Sequence, residues 1–201
     1  MKQNAPRGAA PRPPIAPELA LDIRTGLPDA LVALLADLPR AEWERHRNFG
    51  ELVRFWLERH LMFRQLLDQI RSDAEAAYEK RLAPEAHGPR LARYGGFFLQ
   101  QLHGHHQIED HHYFPRLASL DRRLASGFDL LDADHHALDG LLAGFAEGAN
   151  AVLAASGDAA RRDATGRFHE QLHEAARQLG RHLEDEEDLI VPVILRSGFS
   201  G

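Results

Sequence analysis

Histidine is the residue type with the most chemistry to offer in this chain. There are 13 histidines in 201 residues and no cysteine, and five of the histidines fall between His103 and His112. Without thiols, disulfide scaffolds, thiolate zinc sites, cysteine-ligated iron–sulfur clusters and a cysteine nucleophile are excluded. A metal here must be held by imidazole and carboxylate. Of the four histidines that lie in apolar stripes, His60, His105, His135 and His182, three carry a carboxylate four residues later: His105 with Glu109, His135 with Asp139, and His182 with Glu186. Four residues advance a helix by about 400°, so each pair shares one face about one turn apart. Nitrogen and oxygen donors so placed suit iron, manganese or zinc. His60 adds a fourth imidazole. Seven side chains exceed the roughly four that a mononuclear tetrahedral site takes, and the surplus points to a two-metal centre bridged by carboxylates.

Four long helical patterns must position these groups. Val53, Trp56, His60, Phe63, Leu67 and Ile70 alternate spacings of three and four, which is one helix face. A second pattern runs from about Pro89 to Pro115 with Tyr94, Phe98, Leu102, His105 and Glu109 on one face. The third has Phe128, Leu131, His135, Leu138, Leu142 and Phe145. The fourth follows the Ser156-Gly157-Asp158 break with Phe168, Leu172, Leu179, His182, Leu189 and Val193. No alternating strand pattern of useful length is present. These features predict an all-α fold, an antiparallel up-down four-helix bundle over residues 41–197, with one inward histidine per helix. Residues 1–40 read as an N-terminal extension: a Pro-rich leader over residues 1–17, then a short apolar patch, Leu27 to Leu38, able to form a short helix on the body.

A lone histidine on an apolar face is usually a hydrogen-bonded core residue, and an i, i+4 His–Glu pair can be a plain surface pair. Four inward histidines on four helices are another matter, because unpaired buried charges cost several kcal/mol each. An internal parallel adds weight: His105-x3-Glu109-x5-Pro115 and His182-x3-Glu186-x5-Pro192 share one spacing. A small register shift would turn His106 with Asp110, or His136, inward instead, and Glu187 competes with Glu186. The repeat spacing favours His105, and the Leu131 and Leu138 flanks favour His135. His112 shares the His105 face and is placed to support a carboxylate. His46 lies too far along the chain to reach the same site. His87 reads as a loop residue, and His103, His111, His169 and His173 read as solvated.

The pieces Trp56 to Phe63 around His60, His105-His106-Gln107-Ile108-Glu109-Asp110 ending in Phe114-Pro115, Asp134-His135-His136-Ala137-Leu138, and His182-Leu183-Glu184-Asp185-Glu186-Glu187 ending in Val191-Pro192 occur in this order, one per helix. Together they resemble the hemerythrin-like (HHE cation-binding) domain family over about residues 45–196. The resemblance implies two iron ions bridged by carboxylates and an oxo or hydroxo group, with O2 binding or oxygen, iron or redox sensing as the activity. It makes Glu109 and Glu186 the bridges, His60 and His105 the ligands of the iron with an open position, and His135, Asp139 and His182 the ligands of the other. Two departures stand out. Oxygen-carrying members have His-x3-His on the third helix, where this chain has Asp139, and their last motif is His-x4-Asp, where this chain has Glu187, with Glu186 one residue earlier. A carboxylate in place of an imidazole hardens the site and leaves room for zinc or manganese.

The formal net charge of −6 gives no reason to expect nucleic acid or an anionic membrane surface as partner. No apolar run approaches the roughly 18 residues of a membrane span, and no secretory signal is evident at Met1, which fits the cytoplasm. The expected partner is O2 or another small diatomic ligand. Two further classes compete with a binding or sensing module. One is a di-metal oxidoreductase acting on O2, peroxide or nitric oxide, which would draw electrons from an external donor because no glycine-rich flavin or nicotinamide motif is present. The other is a structural bundle whose metal only fixes the fold.

Overall fold

The apolar stripes at spacings of three and four do fold as helices. The computed structural model describes residues 15–201, and among these it contains six α-helices and no strand. They are α1 (Ala33–Asp37), α2 (Glu51–Tyr78), α3 (Pro84–Ile108), α4 (Phe114–Leu120), α5 (Ala125–Ala154) and α6 (Asp158–Ser197). Short 3₁₀ turns occupy Pro17–Leu19, Arg40–Arg45 and Arg122–Leu124, and a π turn, Glu109–Tyr113, joins α3 to α4. No helix among the described residues is long and apolar enough to cross a membrane. Of the Pro-rich stretch, residues 1–14 lie outside the described residues.

Helices α2, α3, α5 and α6 close a ring of contacts: α2 on α3, α3 on α5, α5 on α6 and α6 on α2. Their apolar side chains form two clusters. One gathers Phe63, Leu67, Phe98, Leu102, Leu138, Phe145, Phe168 and Leu172. The other gathers Val53, Trp56, Phe114, Leu117, Phe128, Leu131, Leu189 and Val193. Along α2 the second cluster comes before the first; along α3 and α4 the order reverses; it reverses again in α5 and once more in α6. The inward histidines sit where each helix passes from one cluster to the other: His60 between Trp56 and Phe63, His105 between Leu102 and Phe114, His135 between Leu131 and Leu138, His182 between Leu179 and Leu189. A polar layer is therefore sealed between two dry ones.

The second helical pattern differs from expectation at both ends. Helix α3 starts at Pro84 rather than Pro89, with Pro89 inside it, and His87 is a buried helical residue rather than a loop residue. Downstream, the chain does not stop at Pro115 but passes through the π turn, with Pro115 in the first turn of α4. Proline has no N–H to close a regular turn, and a π turn inserts one residue into the ladder. The insertion resets the inward face. The 102, 105, 109 stripe would continue to His112 and Arg116; instead Phe114 and Leu117 are buried and His111 and His112 are exposed. His112 therefore has no supporting role at the site. Pro192, at the matching position of α6, leaves that helix continuous.

The N-terminal extension crosses the bundle as an irregular strap. It buries Leu21 in one apolar cluster and Leu31, Leu34 and Trp43 in the other. The apolar patch after Pro28 forms the short α1, which packs on α6.

Helices α5 and α6 approach closely at Gly148, where a Cβ would come within 2.8 Å of Cδ2 of the buried Phe168 ring. A branched side chain there overpacks the interface. Gly148→Val is expected to lower unfolding free energy by about 1–3 kcal/mol in urea titrations, and an unchanged midpoint would show that the helices yield at this contact.

Candidate metal centre

Two adjacent histidines of α3 enter the polar layer, because α3 faces α2 on one side and α5 on the other. Neighbouring residues point about 100° apart on a helix, so His105 turns to α2 and His106 to α5. His105 Nε2 lies 3.1 Å from His60 Nε2. The His106 ring stacks on His135 at 4.0 Å between centroids. Glu109 opens the π turn between them. Its Oε1 is 2.9 Å from His105 Nε2 and its Oε2 is 3.6 Å from His135 Nε2. From α6, Glu186 Oε2 lies 3.4 Å from His60 Nε2 and 3.5 Å from His182 Nε2. The donor atoms form two groups, each tight enough to hold a cation: His60, His105, Glu109 and Glu186 in one, and His106, His135 and His182 in the other. Glu109 and Glu186 each touch both groups.

These atoms are buried and short of partners. His106 Nε2, both oxygens of Glu109, His135 Nε2, His182 Nε2 and Glu186 Oε2 make no hydrogen bond. Such atoms cost free energy unless something satisfies them, and all six face one another. Burial shifts their protonation. It pushes the His105 imidazole down to about 3 and the His106 imidazole well below its usual range. It also raises the Glu109 carboxyl well above the carboxylate range, helped by the neighbouring Glu186. Burial would raise Glu186 too, but His60 and the other imidazoles hold it well below. The unloaded layer thus keeps His105 and His106 as neutral imidazoles and a proton on one carboxyl of the pair, while at His60 burial is outweighed by Glu186 and Glu187 and the imidazole is raised; a cation would displace such protons.

Three of the imidazoles turn their other nitrogen onto an outer carboxylate. His60 Nδ1 meets Glu187 Oε1 at 3.0 Å, His135 Nδ1 meets Asp110 Oδ1 at 2.7 Å, and His182 Nδ1 meets Asp134 Oδ2 at 3.3 Å. This arrangement places a proton on Nδ1 and, at His135 and His182, leaves Nε2 an unpartnered acceptor facing inward, whereas His60 Nε2 meets His105 Nε2. Trp56 donates its indole N–H to Glu186 Oε1 at 2.6 Å and so fixes that carboxylate from α2. Arginines hold the outer carboxylates in turn. Arg24 of the strap is buried and grips both oxygens of Asp134, and its Nε donates to Asp185 at 2.8 Å. Arg40 and Arg64 grip Glu187 at 2.7 and 2.8 Å.

Of the side chains expected at the site, His60, His105, Glu109, His135, His182 and Glu186 come together in this layer. Asp139 does not: it is exposed, as is His136. The inward face of α5 runs through Leu131, Asp134, His135 and Leu138, so the next turn after His135 enters the core at Leu138 and not at Asp139. The third imidazole of the His135–His182 group is His106, from α3. The same adjacency had left His106 open as a substitute for His105; it is an addition. Glu187 and Asp110 lie one layer out, on the far nitrogens of His60 and His135.

An all-helical protein with a buried histidine–carboxylate cluster able to hold cations is the class that this geometry defines. The model of the hemerythrin HHE cation binding domain matches residues 51–195, and the chain belongs to that family. Neither the curated proteins nor the solved structures hold a match to it. The matched region begins at the start of α2, so Arg24 and Arg40 reach the site from outside it.

Removing Arg24 leaves Asp134 buried without its cation and free to turn away from His182. Arg24→Met is expected to weaken metal retention by about ten- to a hundred-fold in chelator competition, and retention equal to wild type would show that the strap does not support the ligand. The Glu187 carboxyl is held down to about 2 from its ordinary 4.5: burial opposes the shift, and His60 and Arg64 prevail. A carboxyl lowered on folding stabilises the fold above its unfolded value and loses that contribution as pH falls through the folded value. Metal-free wild type should therefore lose more stability between about pH 4.5 and 2 than Glu187→Gln does, and parallel curves from denaturant titrations would contradict this ionic assignment.

Proposed function

We propose that this protein is a non-haem di-iron module that binds O2 or a similar diatomic ligand, as an oxygen or redox sensor or carrier rather than as a turnover enzyme. The observation that carries the reading is the set of six buried, unpartnered donor atoms converging from α3, α5, α6 and the π turn. In this reading His60 and His105 hold one iron, His106, His135 and His182 hold the other, and Glu109 and Glu186 bridge them. The alternating order of the two apolar clusters along the chain supports the antiparallel up-down bundle that such a centre needs. The hardening expected from Asp139 does not apply here, since His106 supplies an imidazole in its stead. Nitrogen-rich donors with two carboxylates suit iron, with zinc or manganese as competitors.

The two halves are unequal. The His60–His105 half draws on two imidazoles and the bridges, one ligand fewer than its partner. A cavity of about 190 Å³ lies on that side, lined by Trp56, Arg59, His105, Glu109 and Tyr113 among others. A pair of ferrous ions, when bound, supplies the electrons that O2 uptake requires. The chain's own residues do the rest. Trp56 N–H steadies Glu186, the Trp56 and Phe63 rings keep water from the layer, and Tyr113, edge-on to Trp56 at 4.9 Å, borders the approach. Arg59 donates to Gln101 at 2.9 Å along the same cavity wall.

Protein purified from iron-supplemented cells is expected to carry about two irons per chain. It should show near-ultraviolet bands that bleach on reduction and return with air. His106→Leu should lose close to half of the iron, whereas Asp139→Asn should keep all of it. Two zinc ions without colour, or iron loss in Asp139→Asn but not in His106→Leu, would overturn the reading. Sustained O2 or peroxide consumption with an added reductant would move it to an oxidoreductase.

A further inference from the structure

A second cavity, of about 320 Å³, lies where α2 passes to α3 and α5 passes to α6. Ala77 on its wall stands 17 residues past His60 in α2, about 25 Å away along the helix, so it is separate from the metal layer. Its wall carries His87, which is 2% exposed and whose buried Nε2 has no hydrogen-bond partner. The nearest carboxylate that acts on His87 is Asp73, already engaged by Arg90 at 2.7 and 2.8 Å and by Gln69 at 2.9 Å. Burial holds the imidazole neutral, so it has one N–H to offer and no charge of its own to bring.

Around this orphan nitrogen the wall is cationic. Lys80, Arg161 and Arg162 all line the cavity, and none of them has a carboxylate partner among the described residues. Arg161 reaches only the Ala155 carbonyl, at 3.4 Å, and Arg162 lies over the Tyr78 ring at 4.9 Å. Lys80 is held beside the cavity by a left-handed backbone, φ 61°, which side chains rarely adopt and which marks the tight exit from α2. Asp158, the first residue of α6, is the single carboxylate on the wall. The cap before it, Gly157, offers no side-chain acceptor to the first N–H groups of this 40-residue helix. His87 and Arg161 also both line an adjoining cavity of about 180 Å³. The remainder of the wall is apolar: Ala77, Leu82, Ala83 and Pro84.

From this geometry we propose that the cavity is a binding site for a small organic anion. A carboxylate or phosphate head takes the His87 Nε2–H together with Arg161 and Arg162, and a short apolar body lies against Leu82, Ala83 and Pro84. A bare inorganic anion would leave the apolar wall unused, and a neutral molecule would leave the cations and the buried imidazole unpaired. The volume falls within the range of small-molecule sites. The proposal stands apart from the metal centre and does not need it.

The test is calorimetric titration of the full chain with four probes: hexanoate, hexyl phosphate, inorganic phosphate and hexanol. At least one of the two organic anions should bind, and comparing them assigns the head group; hexanol and inorganic phosphate should bind much more weakly. The paired substitution Arg161→Gln/Arg162→Gln, and separately His87→Phe, should each cut that affinity roughly ten-fold or more, with melting temperature and metal content of the paired variant unchanged. Binding of inorganic phosphate as tight as that of hexyl phosphate would overturn the organic part of the assignment. Equal affinity in the paired variant, or no binding by either organic probe, would overturn the site.

Discussion

Two carboxylates, Glu109 and Glu186, are fully enclosed among five imidazoles, and the rest of the molecule is arranged around that burden. Each ionised group taken from water costs several kcal/mol unless an opposite charge or good hydrogen bonds meet it. Apart from the Trp56 N–H on Glu186, the relief inside the layer is mutual, so one carboxyl is driven to keep its proton while the other remains ionised. The two dry clusters bound the layer above and below and carry few polar groups that could supply the missing partners. Cations held in the two groups would satisfy the six donor atoms left open.

Charge alternates outward from this centre in ordered shells. Glu186 faces His60, His60 turns its far nitrogen to Glu187, and Glu187 is held by Arg40 and Arg64. On the other side His182 turns to Asp134, which Arg24 holds. His60 and His182 are thus each oriented by a carboxylate that is itself fixed by a guanidinium. Two of those guanidiniums belong to the strap that precedes α2, whose Leu21, Leu31, Leu34 and Trp43 anchor it in the two apolar clusters. The strap therefore does more than cover the bundle: its hydrophobic burial sets the position of the charges that aim two ligand rings.

The helices, their inward stripes and the meeting of six of the seven expected side chains in one buried layer were legible in the sequence, because a single apolar face at spacings of three and four leaves little choice of direction. His60 and His182 are unambiguous for that reason. The reading fell short where one helix faces two neighbours. A helix set against α2 and α5 at once buries two adjacent positions, so His105 and His106 were never alternatives. The i, i+4 rule failed for Asp139 because α5 buries an arc that runs back toward Asp134 and on to Leu138, and a step of 400° from His135 leaves that arc on its far side. The π turn was signalled only by Pro115, and nothing in the periodicity tells whether a proline ends a helix or shifts its register; Pro192 at the same spacing does neither. Asp134 stands next to His135 and could have been suspected as its neighbour's support. Arg24 could not, since it lies in a segment without a period.

The replacement of Asp139 by His106 changes what the centre can be. A third carboxylate would make the donor set harder and more anionic and would favour the ferric state. In the proposed di-iron reading, five imidazoles and two carboxylates leave the set softer and less negative, a balance suited to both ferrous and ferric charge. The route by which the fifth imidazole arrives also matters. A ligand one turn along α5, at Asp139, would have tied two ligands of one half to a single helix. His106 instead comes from the helix that already carries His105 and Glu109, so α3 and its π turn touch both halves of the layer. A shift of α3 against α5 would move His105, His106 and Glu109 together and change both halves at once. In the proposed reading that rigid linkage, ending in the π turn beside the cavity at Tyr113, is what would connect the state of the buried centre to the surface of the bundle.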